Sequence, residues 1–292
     1  MSVITLSPEA ALNPKFIEKT IMKKMDPLLY FKDLFPVVDL KGATTFKFYV
    51  DDESAEDEIQ AGKMQRPVTV TELGDLSKVK ITPISKKLGD TYMFGLSMEF
   101  SQEVLDNQEY SDEVLRAIDR YSYAMARKIN LDHIDTMLDY AAAPTITLKD
   151  GQWKDSSAID EDIINMQEAL DQEGYDYELT DFYTPKQHYY ETKRFYNSLD
   201  GKFNPDDVEG SRMTNVKSNL KKGGLLGMDK KIQPLTTYKN INKKYSVDPK
   251  NSLVNVNRYT QEKWPYKEIV DIWSHMGIAV KHPRAILYQT GL

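Results

Sequence analysis

The sequence predicts an α+β fold, and three observations carry that expectation. The stretch from about Glu109 to Ala141 has the apolar period of one long helix. Short runs such as Thr44–Val50, Glu178–Pro185 and Ser252–Val256 read as strands. Their order along the chain is a helical arm, a hairpin, the long helix, and then mixed helix and strand.

Residues 1–36 form the arm. Ser7-Pro8-Glu9 is a helix start, with serine as cap and proline in the first turn. Phe16, Ile17, Ile21, Met22, Met25, Leu28, Leu29, Phe31 and Leu34 are apolar, while Pro14, Pro27 and Pro36 prevent one continuous helix. A segment so apolar and so interrupted must lie on something, either its own chain or a neighbour. Residues 37–92 follow as an extended loop with its base strands. Thr44–Val50 is a strand with Phe46 and Phe48 on one face, and a returning segment leads to Tyr92, Phe94 and Leu96. The excursion between them is long for a compact domain and polar at its tip. Pro67–Thr71 within it has strand character, so it reads as a protruding hairpin, which water alone does not stabilise.

In the long helix, Val114, Ile118, Tyr121, Met125 and Ile129 recur at helical spacing. Ser111 is the expected cap, Asp112 and Glu113 suit the positive end, and Pro144 closes the segment. Roughly 30 residues at 1.5 Å each give a rod of about 45 Å. Ile159, Ile163, Ile164, Met166, Ala169 and Leu170 mark a second amphipathic helix, and Gln187–Phe195 a third. Strands are expected at Glu178–Pro185, after the Gly223–Gly227 turn, at Ser252–Val256 and at Ile269–Trp273, with two short ones around His282-Pro283.

The chain has 292 residues, 28% of them charged and 40% hydrophobic, with a net charge of −7, the profile of a folded domain rather than a disordered one. No apolar run reaches the length of a membrane span, and the start lacks a secretory signal pattern. With no cysteine, disulfides, thiolate catalysis and Cys-ligated zinc are excluded. Charge is unevenly spread. Asp51, Asp52, Glu53, Glu56, Asp57 and Glu58 form an acidic block, followed by Lys63 and Arg66, whereas Lys and Arg outnumber acids between Lys186 and Arg258. Oppositely charged regions suit self-association.

Catalytic patterns do not emerge. His133, His188, His275 and His282 have no metal-ligand spacing. Lys221–Gly227 is rich in glycine but lacks the Gly-Lys-Ser/Thr ending of a phosphate loop, and no Gly-x-Ser-x-Gly elbow occurs. Carboxylate pairs lie in polar runs with no burial signal. Lys186–Tyr196 mixes basic and aromatic residues, as a single-strand binding platform would. However, Tyr189, Lys193 and Tyr196 share one helical face, which suits packing better. The expectation is therefore a non-enzymatic protein without a cofactor or metal.

The whole layout resembles the major capsid proteins of tailed double-stranded DNA viruses, a fold shared with encapsulin shells. Ser101–Asn107 is similar to that family's segment before its spine helix, and Ala126–Leu138 to the spine end. Thr180–Pro185 with its following Tyr-rich helix, Leu226–Gln233 and Gly277–Ile286 resemble the axial strand and helix, the glycine turn and the closing strands. The resemblance implies an N-terminal arm at 1–36 and an extended β-hairpin loop at 37–92. It further implies a peripheral domain with the spine helix at 93–143, an axial domain at 144–250 and return strands at 251–292. It implies a structural protein that self-assembles through pentamers and hexamers into an icosahedral shell enclosing double-stranded DNA. The shell would be a virion capsid assembled in the host cytoplasm, with scaffolding, portal or decoration proteins as further partners and no membrane. An encapsulin-like compartment is the alternative, and an unrelated enzyme or nucleic-acid binder a third. Asp51, Asp52, Glu53, Glu56, Asp57, Glu58, Lys63 and Arg66 are the expected intersubunit residues of the loop. The built-in helical scaffold of some family members and the Lys–Asn cross-link of a few find no counterpart motif.

The stripe itself yields a test. Ile118, Met125 and Ile129 should be buried on the subunit's own sheet, with Arg116, Asp119, Arg120 and Lys128 outside. Ile129→Asp should then abolish folding of the subunit, seen as loss of a cooperative melt, because an unpaired charge would be buried. A folded Ile129→Asp subunit that merely fails to associate would make the stripe an intersubunit surface instead.

Overall fold

A computed structural model describes residues 8–31, 36–50, 85–101, 111–141, 156–171, 177–198, 202–216, 224–262, 264 and 266–289. The chain divides into two compact units, each made of several segments.

The first unit gathers residues 1–47, 88–133 and 236–279. It opens with helices α1, Pro8–Ala11, and α2, Pro14–Met25. Pro14 does not break a helix here but starts one. It occupies the first turn, behind Asn13, whose Oδ1 accepts from the Lys15 amide at 2.9 Å. A five-stranded sheet follows from distant pieces: β1, Val37–Asp39; β4, Tyr92–Ser101; β8, Leu235–Lys239; β9, Asn255–Gln261; and β10, Lys267–Val280. β10 is the centre. One edge pairs antiparallel with β4, from Lys267 opposite Ser101 to Met276 opposite Tyr92. The other edge pairs with β9 as far as Trp273, and beyond it Asn240, just past β8, donates to the His275 carbonyl at 2.8 Å. β1 adds a parallel strand on β8.

The long helix α3 spans Ser111–Tyr140, close to the expected bounds. Val114, Ile118, Met125, Ala126 and Ile129 are buried in one apolar cluster. The cluster takes Ala11, Leu12, Ile17, Ile21 and Met25 from the first two helices. From the sheet and the loop before β9 it takes Met98, Phe100, Val254, Val256, Val270, Ile272 and Met276. Arg116, Asp119, Arg120 and Lys128 are exposed, as the stripe predicts.

The second unit gathers residues 48–87, 134–235 and 280–292. Its four-stranded sheet has the order β11-β7-β5-β6, from β5, Asp181–Pro185, β6, Arg212–Val216, β7, Leu225–Met228, and β11, Ile286–Gln289. β5 and β6 run parallel and the remaining pairs antiparallel. Helix α4, Ser156–Asp171, buries Ile159, Ile163, Met166 and Leu170 in a core shared with Phe182, Met213, Leu225 and Leu287. Gly227 permits that approach: a Cβ there would sit 2.6 Å from Leu179 Cδ1 and 2.8 Å from Met166 Cε. Helix α5, Lys186–Ser198, follows β5 directly. The face expected to unite Tyr189, Lys193 and Tyr196 is split. Tyr189, Phe195 and Tyr196 pack against this core, while Lys193 and Arg194 are exposed.

Several expected elements shift. β10 is fourteen residues long rather than the five of Ile269–Trp273, because paired neighbours on both edges sustain it. Between β10 and β11 lies a 3-10 turn at Pro283–Ala285. Thr145–Leu148, which also reads as a strand in the sequence, lies outside the described residues.

Candidate functional site

The described residues hold no catalytic constellation. Among them no three acids or histidines come together as a metal site, and no helix is long and apolar enough to cross a membrane. What the described residues offer instead is surface architecture: the root of a long loop, a clamped arm and a sheet edge.

The loop root is a two-stranded ribbon of β2, Thr45–Val50, and β3, Ser85–Asp90. The Asp51, Asp52, Glu53, Glu56, Asp57, Glu58, Lys63 and Arg66 set lies between these strands, outside the described residues. Phe46 anchors the root. Its ring stacks on Tyr238 of β8 at a centroid distance of 4.0 Å and 13° between planes. Two glycines leave room for it: a Cβ on Gly277 of β10 would lie 2.6 Å from Phe46 Cε1, and one on Gly89 of β3 would lie 2.5 Å from the ring. Three strands distant in sequence are thus keyed to one aromatic side chain. Phe46 is the residue that the alternation of β2 predicts to face inward, and it is 5% exposed.

The arm is clamped onto α3 by polar groups that period analysis does not single out. Asn130, nearly buried, accepts from the Tyr30 amide at 3.0 Å and donates to the Leu28 carbonyl at 2.7 Å. One turn on, His133 stacks on Phe31 with 5.4 Å between ring centroids. Its Nδ1 lies 2.8 Å from the Ile129 carbonyl and its Nε2 lies 2.8 Å from Thr237 Oγ1 of β8. The carbonyl can only accept, so Nδ1 carries a proton and the neutral imidazole takes the Thr237 hydroxyl at Nε2. Burial pushes its pKa below the ordinary 6.5. Beside it a cavity of about 200 Å³ is lined by Phe31, Ile129, Thr237, Leu253 and Met276 together with Lys239. Lys239 is 3% exposed; its ammonium donates to the Lys250 and Ser252 carbonyls at 2.6 and 2.8 Å, and burial lowers its pKa. Its hydrogen bonds run to main-chain carbonyls of the loop before β9, so it ties that loop to β8.

The β4 edge and the β9–β10 turn present apolar groups to solvent. Met93 and Leu96 are exposed along the first, with Leu88 exposed on β3, and Tyr259, Trp264 and Tyr266 around the second, where Trp264 is 85% exposed. Such groups on a folded unit suit burial against another molecule. Near the start of β4, Tyr92 donates to Asp132 Oδ2 at 2.8 Å, and Lys128 pairs with Asp132 Oδ1 at 2.6 Å. Burial and then the carboxylate acceptor raise the Tyr92 pKa, so the phenol stays protonated.

Comparison with known proteins agrees with this architecture. The family profile described as phage capsid protein matches residues 86–289. No curated protein matches the chain by sequence. Among solved structures, the capsid of an empty GTA particle is similar with a TM-score of 0.64 at 15% identity, over 90% of this chain and 89% of that one. The capsid of cyanophage P-SCSP1u gives a TM-score of 0.60 at 11% identity, over 90% and 89%. The SrpI encapsulin of Synechococcus elongatus gives 0.56 at 12% identity, over 89% and 86%. At these identities the likeness establishes the fold, that of tailed-phage capsid shells.

Two outcomes test the root and the clamp. Phe46→Ala should lower stability by about 3–5 kcal/mol, read by urea denaturation, since the glycine-lined slot cannot collapse around the void. The His133 prediction concerns pH. Its folded-state pKa lies below the unfolded value, so between the two the unfolded chain binds more protons and stability rises with pH. The unfolding midpoint should be unaffected by this group above pH 6.5 and should fall as pH drops below it. His133→Gln should flatten that dependence. An unchanged acid limb in the variant would remove His133 as its source.

Proposed function

The chain belongs to the phage capsid protein family, and from that premise we propose that it is the major shell subunit of a tailed virus whose shell encloses double-stranded DNA. It is a structural, shell-forming protein of a capsid. The observation that carries the reading is the extent of the family match, which takes in the long helix, the whole four-stranded sheet and four of the five strands of the larger sheet. In this reading copies of the chain associate as pentamers and hexamers, and assembly takes place in the host cytoplasm. Packaged DNA is met through non-specific contacts, and scaffolding, portal or decoration proteins are further partners. Residues 1–36 act as the arm, 37–92 as the extended loop, 93–143 as the peripheral domain, 144–250 as the axial domain and 251–292 as return strands.

The same reading gives the loop its role. A long hairpin-like excursion that water alone does not stabilise, leaving a root held by one aromatic anchor, is suited to rest on a neighbouring copy. The acidic Asp51, Asp52, Glu53, Glu56, Asp57 and Glu58 then lie over basic parts of that neighbour, with Lys63 and Arg66 as the opposite charges of the same loop. A second reading, an encapsulin-like compartment for protein cargo, is favoured by the similarity to the Synechococcus elongatus encapsulin.

Electron microscopy of the purified full chain separates these readings. Shells containing nucleic acid support the capsid, shells containing a co-purifying protein support the compartment, and a uniform monomer or dimer contradicts both. Deleting Glu53–Lys63 should leave a folded subunit, by circular dichroism, that no longer forms shells. Normal shells from the deletion would refute the role given to the loop.

A further inference from the structure

The outward face of α2 carries charge of one sign. Lys15, Lys19 and Lys23 are all exposed at spacings of four, so their Cα atoms are about 6 Å apart along the axis. None has an ion-pair partner among the described residues, whereas Lys24, the next lysine, pairs with Asp119 of α3. The only acid on α2, Glu18, is turned inward. It is 3% exposed and accepts from Ser246 Oγ at 2.5 Å and from the Val247 amide at 2.6 Å. The loop it holds adds two more exposed lysines, Lys243 and Lys244. The loop's own acid, Asp248, accepts from Asn251 Nδ2 at 2.8 Å. By contrast, the exposed side of α3 carries both signs, with Arg116, Asp119, Arg120 and Lys128, and Lys128 pairs with Asp132. In a chain of net charge −7, Lys15, Lys19 and Lys23, without an ion-pair partner among the described residues, form a local positive field.

We infer that the lysine stripe of α2, Lys15, Lys19 and Lys23, is a contact surface for the phosphate backbone of duplex DNA. The inference rests on the proposed reading that the shell encloses DNA, and it names the residues that meet it. Three features select this occupant. The apolar face of α2 is already spent in the subunit core, with Ile17, Ile21 and Met25 at 0% exposed, so the helix has nothing left to insert into a membrane surface. No large apolar side chain of α2 is exposed, and lysine is depleted in protein interfaces, which are anchored by aromatics and arginine. Nor do the three ammonium groups converge on a pocket, as a small phosphate would need; they are strung along a line. A row of compact point charges on flexible stems fits an extended polyanion held without base readout. The proposed surface also takes in Lys243 and Lys244, which the chain places just before the loop residues that Glu18 holds.

The test uses the full chain and a short random-sequence duplex, with affinity followed by fluorescence anisotropy between about 50 and 200 mM salt. In Lys15→Gln/Lys19→Gln/Lys23→Gln, loss of three phosphate contacts should make the slope of log affinity against log salt shallower by about 2.7, while the charge-keeping Lys→Arg triple variant holds the slope. Adding Lys243→Gln and Lys244→Gln should flatten it further. Electron microscopy of the same variants reports the shell separately. Intact shells with an unchanged slope would overturn the stripe and leave the capsid reading standing. Absence of shells from the unaltered chain would overturn that reading by itself. Lost shells with an unchanged slope would mean that a second copy, not DNA, occupies the stripe, which also overturns the inference.

Discussion

Everything in the first unit depends on covering the apolar stripe of α3. A helix about 45 Å long with one apolar face cannot stay in water on its own propensity; tertiary packing must hold it. The stripe is met by two short helices from the start of the chain and by strands from its last third. Each buried Ile or Met in that cluster contributes roughly 1.5–3 kcal/mol, so neither covering can be removed without loss of the other. This is why a chain interrupted by Pro14 and Pro27 is nonetheless ordered through α2. Its apolar side chains belong to a core whose other members lie far away in sequence.

The same constraint sets the polar details. Once the arm lies on α3, its main-chain groups at Leu28 and Tyr30 leave water and must be paired, and Asn130 supplies both a donor and an acceptor. His133 then has to be neutral, because it is enclosed between Phe31 and Thr237 with an ammonium group lining the adjoining cavity. Phe46 does for the loop root what Asn130 does for the arm. It keys β2, β3, β8 and β10 together through an aromatic stack and two glycines. Function in a shell protein follows from this economy of core: arm, root and helix are fixed, and the remaining surfaces are left for other molecules.

Charge divides those surfaces. The exposed side of α3 carries both signs, so it presents little net field. α2 presents one sign only, because its single acid serves the loop behind it. Apolar exposure lies elsewhere, at the β4 edge and around Trp264. The separation matters physically: apolar patches hold partners of fixed shape, while an unpaired lysine row holds an extended anion of any sequence.

The sequence by itself determined the elements with a strong period or a clear boundary. The stripe of α3, the α4 and α5 helices, β2 with Phe46 inward, and the buried β5 were all legible, as was the ordering of elements that identifies the capsid fold. Each of these is a local signal: a helix repeats every 3.6 residues and a half-buried strand every two. Tertiary structure decided the rest. β1 and β8 are short, and β8 reads Leu-Thr-Thr-Tyr-Lys, a pattern that only burial on both faces explains. β10 outgrows its apolar run because its neighbours, not its side chains, fix its length. Lys193 leaves the face it shares in sequence with Tyr189 and Tyr196 because the second core takes only the tyrosines. The lysine row of α2 was hidden for the opposite reason. Lys15, Lys19 and Lys23 are ordinary helix residues until Glu18, the one acid among them, is seen to be buried in a contact 228 residues away in the chain.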